Sequence, residues 1–256
     1  MWLDKSWNSN KNKYIWIGLG LLSLALKWFA SANPHLVERY YSRGLFLGIR
    51  WIIDYLLAWL PVPLIYIFIL TLFYFLFKNI RNLLINTDRW PNKVFRFCLG
   101  TLAIFGGSLF FFLLLWGFNY DRLPIEKQLK LDPKPLSVEE LRLELETETE
   151  AIVRLRSDIK GITDSAIDDS FLPENLEAVL RIGLENWLQE NNFPTTGRVR
   201  GRILYPKGVF LHFSSSGLYF PFTGEGHVDA GLNALQRVYV MAHELGHGYG
   251  FGDEGT

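Results

Sequence analysis

The fold of this chain is decided by residues 94–118, which read VFRFCLGTLAIFGGSLFFFLLLWGF and carry a single charge, Arg96, near their start. A bilayer core needs about 20 apolar residues per helix, with a range of roughly 17–25, so this run predicts a membrane-spanning helix over about 95–118. Two earlier apolar runs predict spans over about 14–30 and 61–78. The alternative, buried helices of a soluble protein, is disfavoured because three such runs within 118 residues exceed soluble composition.

The segment 45–60 lies between the first two predicted spans and is harder to interpret. It is apolar but contains Arg50 and Asp54, whose i,i+4 spacing puts them on one helix face, where they can pair. Sixteen residues with two charges make a poor span, and only Pro61-Val62-Pro63 separates them from the next run. We therefore predict a helix that lies in the membrane interface or is tucked against the bundle.

Basic residues in the first half predict the orientation. Residues 1–118 hold 12 Lys/Arg and 4 Asp/Glu, concentrated in the N-terminal tail and in the loop between the second and third runs. Because cytoplasmic loops carry the excess of Lys and Arg, both regions are expected in the cytoplasm, and three spans then place residues 119–256 outside it. The first run is expected to be a retained anchor, since the bulky Lys27-Trp28-Phe29 occupies the place of a signal-peptide cleavage site.

The second half is acidic, with 14 Lys/Arg against 22 Asp/Glu in residues 119–256, and gives no electrostatic reason to bind nucleic acid. The single cysteine, Cys98, excludes a disulfide framework and a cysteine-based zinc site. A proline-containing linker, 119–136, leads into a predicted α+β domain, 137–256. We expect a helix capped by Ser137 and Glu140, a second helix from Pro173, an extended region over 198–230 that includes 208–213, and a final helix over about 232–248.

The final helix carries His243-Glu244-Leu245-Gly246-His247. Histidines at i and i+4 share a helix face, so both imidazoles can bind one Zn²⁺ ion. Glu244 is rotated by about 100° from His243, which leaves its carboxylate free to act as a general base on water activated by the metal. The surrounding residues are uncharged, as a metal-binding helix in a core requires, whereas a chance match on a solvated surface would show charges.

Catalytic zinc sites take three protein ligands and leave one position open. Glu254 is the leading candidate for the third ligand, because the glycine-rich turn after His247 could fold the chain back toward the metal. Asp253 is the second candidate, and a ligand beyond residue 256 is the third. Since only nine residues follow His247, we expect the domain to be truncated at its C-terminus.

The stretch before the helix, residues 219–229, contains Gly224, Glu225 and His227. We predict that these three bind substrate, because an edge strand near the metal can pair with an extended peptide and glycine permits close backbone approach. A structural turn explains the glycines equally well. His35 and His212 stand in isolated contexts and are not expected to be ligands.

Four segments together resemble a bacterial membrane-protein family known as domain of unknown function 3810. They are residues 34–44, residues 116–124, Pro221-Phe222-Thr223-Gly224-Glu225 and the HExxH segment. The resemblance runs from about residue 14 to the end. It implies a protein of the bacterial inner membrane, a zincin-like metallopeptidase domain of unknown substrate, His243 and His247 as ligands, and Glu244 as the catalytic carboxylate. It also aligns Glu254 with an acidic position and leaves the third ligand open.

We therefore expect a membrane-anchored zinc hydrolase, most directly a metallopeptidase that cleaves a peptide or protein substrate at the lipid bilayer. The alternative is a non-catalytic membrane scaffold or binding protein with a structural or vestigial metal site. A fourth protein ligand, such as His227 or Asp253, would favour that alternative, because structural zinc sites leave no open position.

Overall fold

The computed structural model describes residues 10–85, 89–159, 167–252 and 254. In chain order, its first half contains α1 (Asn10–Ser31), α2 (Pro34–Leu36), a π-helical segment (Val37–Leu45), α3 (Phe46–Leu57), α4 (Ile65–Ile85) and α5 (Trp90–Leu115). Among the described residues, α1, α4 and α5 are long and apolar enough to cross a bilayer, in agreement with the three predicted spans.

The limits of all three spans differ from those expected, and α1 begins at Asn10 rather than at 14. Helix α4 begins at Ile65 rather than at 61, because Pro61 and Pro63 restrict the backbone before it, and it continues past Lys78 to Ile85. Helix α5 begins at Trp90, with proline in its first turn, and ends at Leu115 because the backbone of Trp116 leaves the helical region. Polar residues therefore belong to both helices beyond the apolar runs.

The spans pack through small and polar residues. A Cβ on Gly20 of α1 would lie 2.6 Å from the Cα of Gly106 in α5, so the two backbones are in direct contact. Between α4 and α5, the Asn79 side chain donates to the hydroxyl of Thr101 over 3.1 Å. Close backbone approach and interhelical hydrogen bonds of this kind are typical of helix association in membranes.

Helix α3 covers most of the segment for which a tucked or interfacial helix was expected. The predicted pair is confirmed: Arg50 and Asp54 are both buried, and a guanidinium nitrogen lies 3.1 Å from a carboxylate oxygen. Both also reach the sheet, because Arg50 donates to the hydroxyl of Tyr219 and Asp54 accepts the N–H of Arg198. The helix is thus tucked against the protein by its charged face.

The second half begins with a 3₁₀ turn (Gly117–Asp121) and continues through α6, α7, α8, three strands and a final helix. Their bounds are α6 (Ile125–Gln128), α7 (Val138–Asp158), α8 (Leu176–Glu190), β1 (Arg200–Leu204), β2 (Gly217–Phe220), β3 (Glu225–Asp229) and α9 (Ala234–Gly248). The Ser137–Glu140 capping box of α7 is confirmed. The apolar side chains of α7 are solvent-exposed, among them Leu141, Leu145 and Leu155, and no residue of this helix is buried.

The stretch 208–213 was expected to be extended, and this was wrong. It forms a tight turn that includes a 3₁₀ segment (Leu211–Phe213). The carboxylate of Asp229 accepts the backbone N–H groups of Gly208, Phe210 and Leu211, and this draws the chain into a loop around one side chain.

The sheet has the order β1-β3-β2, with β1 parallel and β2 antiparallel to the central strand β3. Helix α9 packs on one face of it, where Val228, Met241 and Leu245 belong to a common core with Leu188 of α8. A second cluster joins the halves of the chain. Phe46 and Trp116, from the half that contains the candidate spans (residues 1–118, here called the membrane half), pack with Tyr219 of β2. The sheet therefore packs directly against the residues at the ends of the candidate membrane-spanning helices.

Candidate metal centre

Helix α9 presents two histidines on one face, as the i,i+4 spacing predicts. The Nε2 atoms of His243 and His247 lie 2.9 Å apart, and the two rings are nearly perpendicular. The helix starts at a capping box formed by Asn233 and Gln236, which secures its first turn far from the histidines. Both imidazoles thus converge on one point beside the last turn.

Glu254 completes the cluster. One of its carboxylate oxygens lies 3.4 Å from Nε2 of His243 and 3.5 Å from Nε2 of His247. Tetrahedral zinc with bonds of about 2.0–2.2 Å holds its ligand atoms roughly 3.3–3.6 Å apart, so this donor set fits Zn²⁺ once the two nitrogens separate by roughly 0.4 Å. Asp253, the second candidate for this ligand, falls outside the described residues.

The neighbours of His247 orient its ring. Its Nδ1 lies 2.7 Å from the carbonyl oxygen of Phe251, a contact in which Nδ1 carries the hydrogen and Nε2 keeps a free lone pair. The indole N–H of Trp116 donates to the backbone carbonyl of His247 over 2.7 Å. A residue at the end of a predicted span therefore secures the turn of α9 that carries this ligand.

The side chain of Glu244 lies against the sheet beside Gly217 and lines a cavity. Its side chain is buried, and one carboxylate oxygen has no hydrogen-bond partner among the described residues. Burial, followed by the nearby carboxylate of Glu254, raises the pKa of Glu244 to about 8, although a hydrogen bond from the backbone N–H of Tyr219 opposes the shift. An unpaired buried carboxylate is costly, so this oxygen is suited to a water or a substrate group that occupies the cavity.

Two glycines of the sheet make room for Glu244. A Cβ on Gly217 would lie 2.6 Å from a Glu244 carboxylate oxygen, and one on Gly226 would lie 2.7 Å from the Glu244 Cβ. Any other residue at either position would push the carboxylate out of place.

The cavity beside Glu244 has a volume of about 420 Å³. Its walls come from the edge strand β2 and the residues on either side of it, from the end of α5 and the following turn, and from the last helix with Glu254. The lining residues are Phe112, Trp116, Tyr120, Ser215, Gly217, Leu218, Tyr219, Phe220, Pro221, Phe222, Glu244, His247 and Glu254. A second cavity, of about 190 Å³, reaches both histidines between α6, α8 and Phe251.

Tyr120 is a cavity residue that reasoning from the sequence missed. Burial, with the carboxylates of Glu254 and Glu244 next, raises the pKa of Tyr120, so its phenol stays protonated and can donate a hydrogen bond. Its ring stands edge-on to Trp116. The sequence signal that could have identified Tyr120 is its position in segment 116–124, one of the four segments that carry the family resemblance.

The turn that brings Glu254 to the histidines is held by Arg122, which is itself paired with Glu38 of the membrane half. Gly250 has a φ of +87°, and its carbonyl accepts a hydrogen bond from Arg122 over 2.9 Å. Arg122 in turn donates twice to the Glu38 carboxylate, each time over 2.8 Å. Burial would raise the pKa of Glu38, but the guanidinium groups of Arg122 and Arg43 hold it below its usual value.

The three residues predicted to bind substrate are not brought to the cavity. Gly226 and Val228 face α9, so alternation along β3 puts Glu225 and His227 on the opposite face of the sheet. Both are fully buried there, and Glu225 lies within 3.4 Å of the guanidinium groups of Arg200 and Arg202.

The structure also places the remaining candidate residues, which are Gly224 and three histidines outside the metal cluster. Gly224 forms the turn between β2 and β3, with a φ of +68°, and faces α3. His227 is too far from the cluster to appear in it, and burial with the nearby Arg202 and Arg200 lowers its pKa to about 4. His212 lies in the 3₁₀ turn before β2, and His35 lies in α2. The substrate role of Gly224, Glu225 and His227 stays a prediction without a supporting contact.

Comparison with protein families matches residues 41–256 to the family described as Protein of unknown function (DUF3810). Comparison with curated proteins and with solved structures gave no significant match. The family match covers most of the chain, including α3, the candidate spans α4 and α5, the sheet and the metal cluster. The chain therefore belongs to the DUF3810 family.

Proposed function

We propose that this chain is a membrane-anchored, zinc-dependent hydrolase, most directly a metallopeptidase with a zincin-like catalytic domain. The observation that carries the proposal is the convergence of His243, His247 and Glu254, with potential ligand atoms within 4.8 Å of one another, beside the buried and unpaired carboxylate of Glu244. Three ligands with an adjacent free carboxylate are typical of a catalytic zinc site, which keeps one position open.

The chemistry follows from the donor set and from the cavity. The two histidines and Glu254 would hold Zn²⁺, which when bound would supply Lewis acidity for activating water and polarising a carbonyl group. Glu244 accepts a proton from the attacking water and delivers it to the leaving amine. The phenol of Tyr120 is available to donate a hydrogen bond to the oxygen on which negative charge develops.

The edge strand supports peptides as the substrate class. Strand β2 pairs with β3 on one side, and its residues Gly217–Phe220 line the cavity beside Glu244. An extended peptide can add to such an edge through backbone hydrogen bonds. The second cavity, on the far side of His247, offers space for an apolar side chain next to the cleaved bond.

The distribution of basic residues supports the proposed orientation. With an N-terminus in the cytoplasm and three spans, the metal centre lies on the outer side of the bacterial inner membrane. The lipid bilayer is then a permanent partner of the enzyme, and nothing in its charge favours nucleic acid.

The experiment that tests the proposal compares wild-type protein with Glu244→Gln and with Glu190→Gln, which alters an exposed glutamate at the end of α8. We expect Glu244→Gln to keep its zinc and to lose hydrolysis of a peptide library, by a factor of about 10² or more, because the general base is gone. Glu190→Gln should behave as wild type. Normal turnover in Glu244→Gln would refute the proposed mechanism.

The alternative, a non-catalytic scaffold with a structural or vestigial metal site, would be favoured by a fourth protein ligand. Among the described residues the cluster has three members, and His227 lies on the opposite face of the sheet. Helix α7 suits a scaffold, because none of its residues is buried and it could bind a partner. That function would tolerate loss of the histidines but not of α7.

A further inference from the structure

The catalytic cavity lies at the end of a membrane span. Its floor is formed by Phe112, in the last turn of α5, and by Trp116, which directly follows that helix. Phe112 is only about 4.5 Å along the helix axis from the final residue, Leu115. A bond cleaved beside Glu244 would thus lie close to the bilayer surface.

The free edge of β2 leads from this cavity to a second span. Gly217, at the start of the strand, adjoins the Glu244 carboxylate, whereas Phe220, at its end, contacts Phe68 of α4 with ring centroids 4.8 Å apart. Phe222 packs on the same ring at 4.7 Å. A chain paired with β2 would therefore run from Glu244 toward the first turn of α4.

Phe68 also forms the upper wall of a groove between α1, α4 and α5. The groove has a volume of about 230 Å³, and apolar side chains such as Phe75, Ile104 and Phe111 line it. Its lining contains no charged residue, and small residues, among them Thr71 and Gly107, widen it. Because the groove lies between three candidate spans, it would be at the depth of the bilayer.

We propose that the substrate is a membrane-anchored polypeptide whose apolar anchor helix docks in this groove while its juxtamembrane segment pairs with β2. This inference rests on the proposed hydrolase function and names its substrate class. A polypeptide is the one occupant that uses both parts of the continuous surface: the strand edge recognises a backbone, which a lipid lacks, and the groove accepts an apolar helix.

The geometry also gives the position of the cut. Phe220 lies three positions after Gly217, an extended length of about 10 Å. The cleaved bond then lies about three to five residues outside the anchor. In the reaction, the C–N bond breaks, the carbonyl carbon gains OH from water, and the remaining proton passes through Glu244 to the amine.

The test uses the full chain, loaded with zinc, in vesicles of phosphatidylethanolamine and phosphatidylglycerol. One peptide pool carries a randomised segment joined to an apolar Leu/Ala helix of about 20 residues. The other carries the same randomised segment joined to a polar Gly/Ser tail. We expect the anchored pool to be cleaved at least about tenfold faster, with cuts near the anchor, and Glu244→Gln to cleave neither pool.

The outcomes separate the two proposals. Cleavage of both pools at equal rates, or preferential cleavage of the soluble pool, would overturn the inference and leave the hydrolase intact, provided it depends on Glu244. Cleavage of neither pool would overturn the hydrolase and the inference together.

A matched pair of variants tests the groove itself, since confinement to the membrane alone would also favour the anchored pool. Thr71→Phe fills the groove, whereas Leu70→Phe adds a ring at an exposed position on another face of the same helix. We expect cleavage of the anchored pool to fall at least about tenfold in Thr71→Phe and less than about twofold in Leu70→Phe, with zinc content unchanged in both. Equal rates of cleavage of the anchored pool by the two variants would show that the groove holds lipid rather than the anchor.

Discussion

Replacing Arg122 with methionine removes the link between the membrane half and the turn that carries Glu254. The guanidinium of Arg122 is buried and donates to the Gly250 carbonyl and twice to Glu38. Methionine keeps much of the apolar stem but none of the three hydrogen bonds. The variant therefore tests whether residues far from the histidines help to assemble the metal centre.

The expected magnitude comes from those contacts. Removing one partner of a buried ion pair costs about 3–5 kcal/mol, and we expect the lower end because Arg43 and Gln128 still reach Glu38. Losing a residue that orients a metal ligand typically lowers metal affinity by about 10–100-fold. We predict a loss of zinc affinity in that range, equivalent to about 1.4–2.7 kcal/mol.

The assay is competition for zinc with a chelator, on detergent-solubilised protein whose folding is checked by thermal unfolding. The matched control is Arg142→Met, which breaks an exposed i,i+4 pair with Glu146 on α7 and should leave zinc affinity and stability unchanged. Arg122→Lys, which keeps the charge, should recover part of the affinity. A folded Arg122→Met protein with wild-type zinc affinity would refute the reasoning.

Changes at Glu254, Trp116 and Gly226 test separate parts of the site. Glu254→Ala should lower zinc affinity at least about 10-fold, because one of three ligands is lost; unchanged affinity in the chelator assay would assign the third ligand elsewhere. Trp116→Phe removes the hydrogen bond to the His247 carbonyl and should destabilise the protein by about 1 kcal/mol, measured by thermal unfolding; no change would mean that water replaces the indole. Gly226→Ala places a Cβ 2.7 Å from the Cβ of Glu244 and should reduce hydrolysis with little loss of zinc; full activity would show that the helix can shift.

The features predicted from the sequence are those that local spacing determines. The i,i+4 rule brought His243 beside His247 and paired Arg50 with Asp54, because helix geometry fixes both relations whatever lies around them. The three apolar runs likewise gave the number of candidate spans. The proximity of Glu254 to the histidines follows from a short glycine-rich turn and was therefore within reach.

The features that local sequence does not determine depend on contacts between distant parts of the chain. Alternation puts Glu225 and His227 on a common face of β3, but which face meets α9 is decided by packing: glycine at 226 lets the helix approach there. The roles of Glu38 and Arg122 depend on partners 84 residues apart. Local sequence gives no measure of such contacts, so the contribution of the membrane half to the metal centre could not be predicted.

Metal content per chain tests the central claim most directly. The full-length protein would be purified in detergent beside His243→Ala and beside His212→Ala, which removes a histidine outside the cluster. We predict about one zinc ion per chain in the wild type and in His212→Ala, and none in His243→Ala, because two of the three proposed ligands cannot retain the ion through purification. A folded wild-type protein without zinc, or a His243→Ala protein that keeps it, would contradict the assignment of this site.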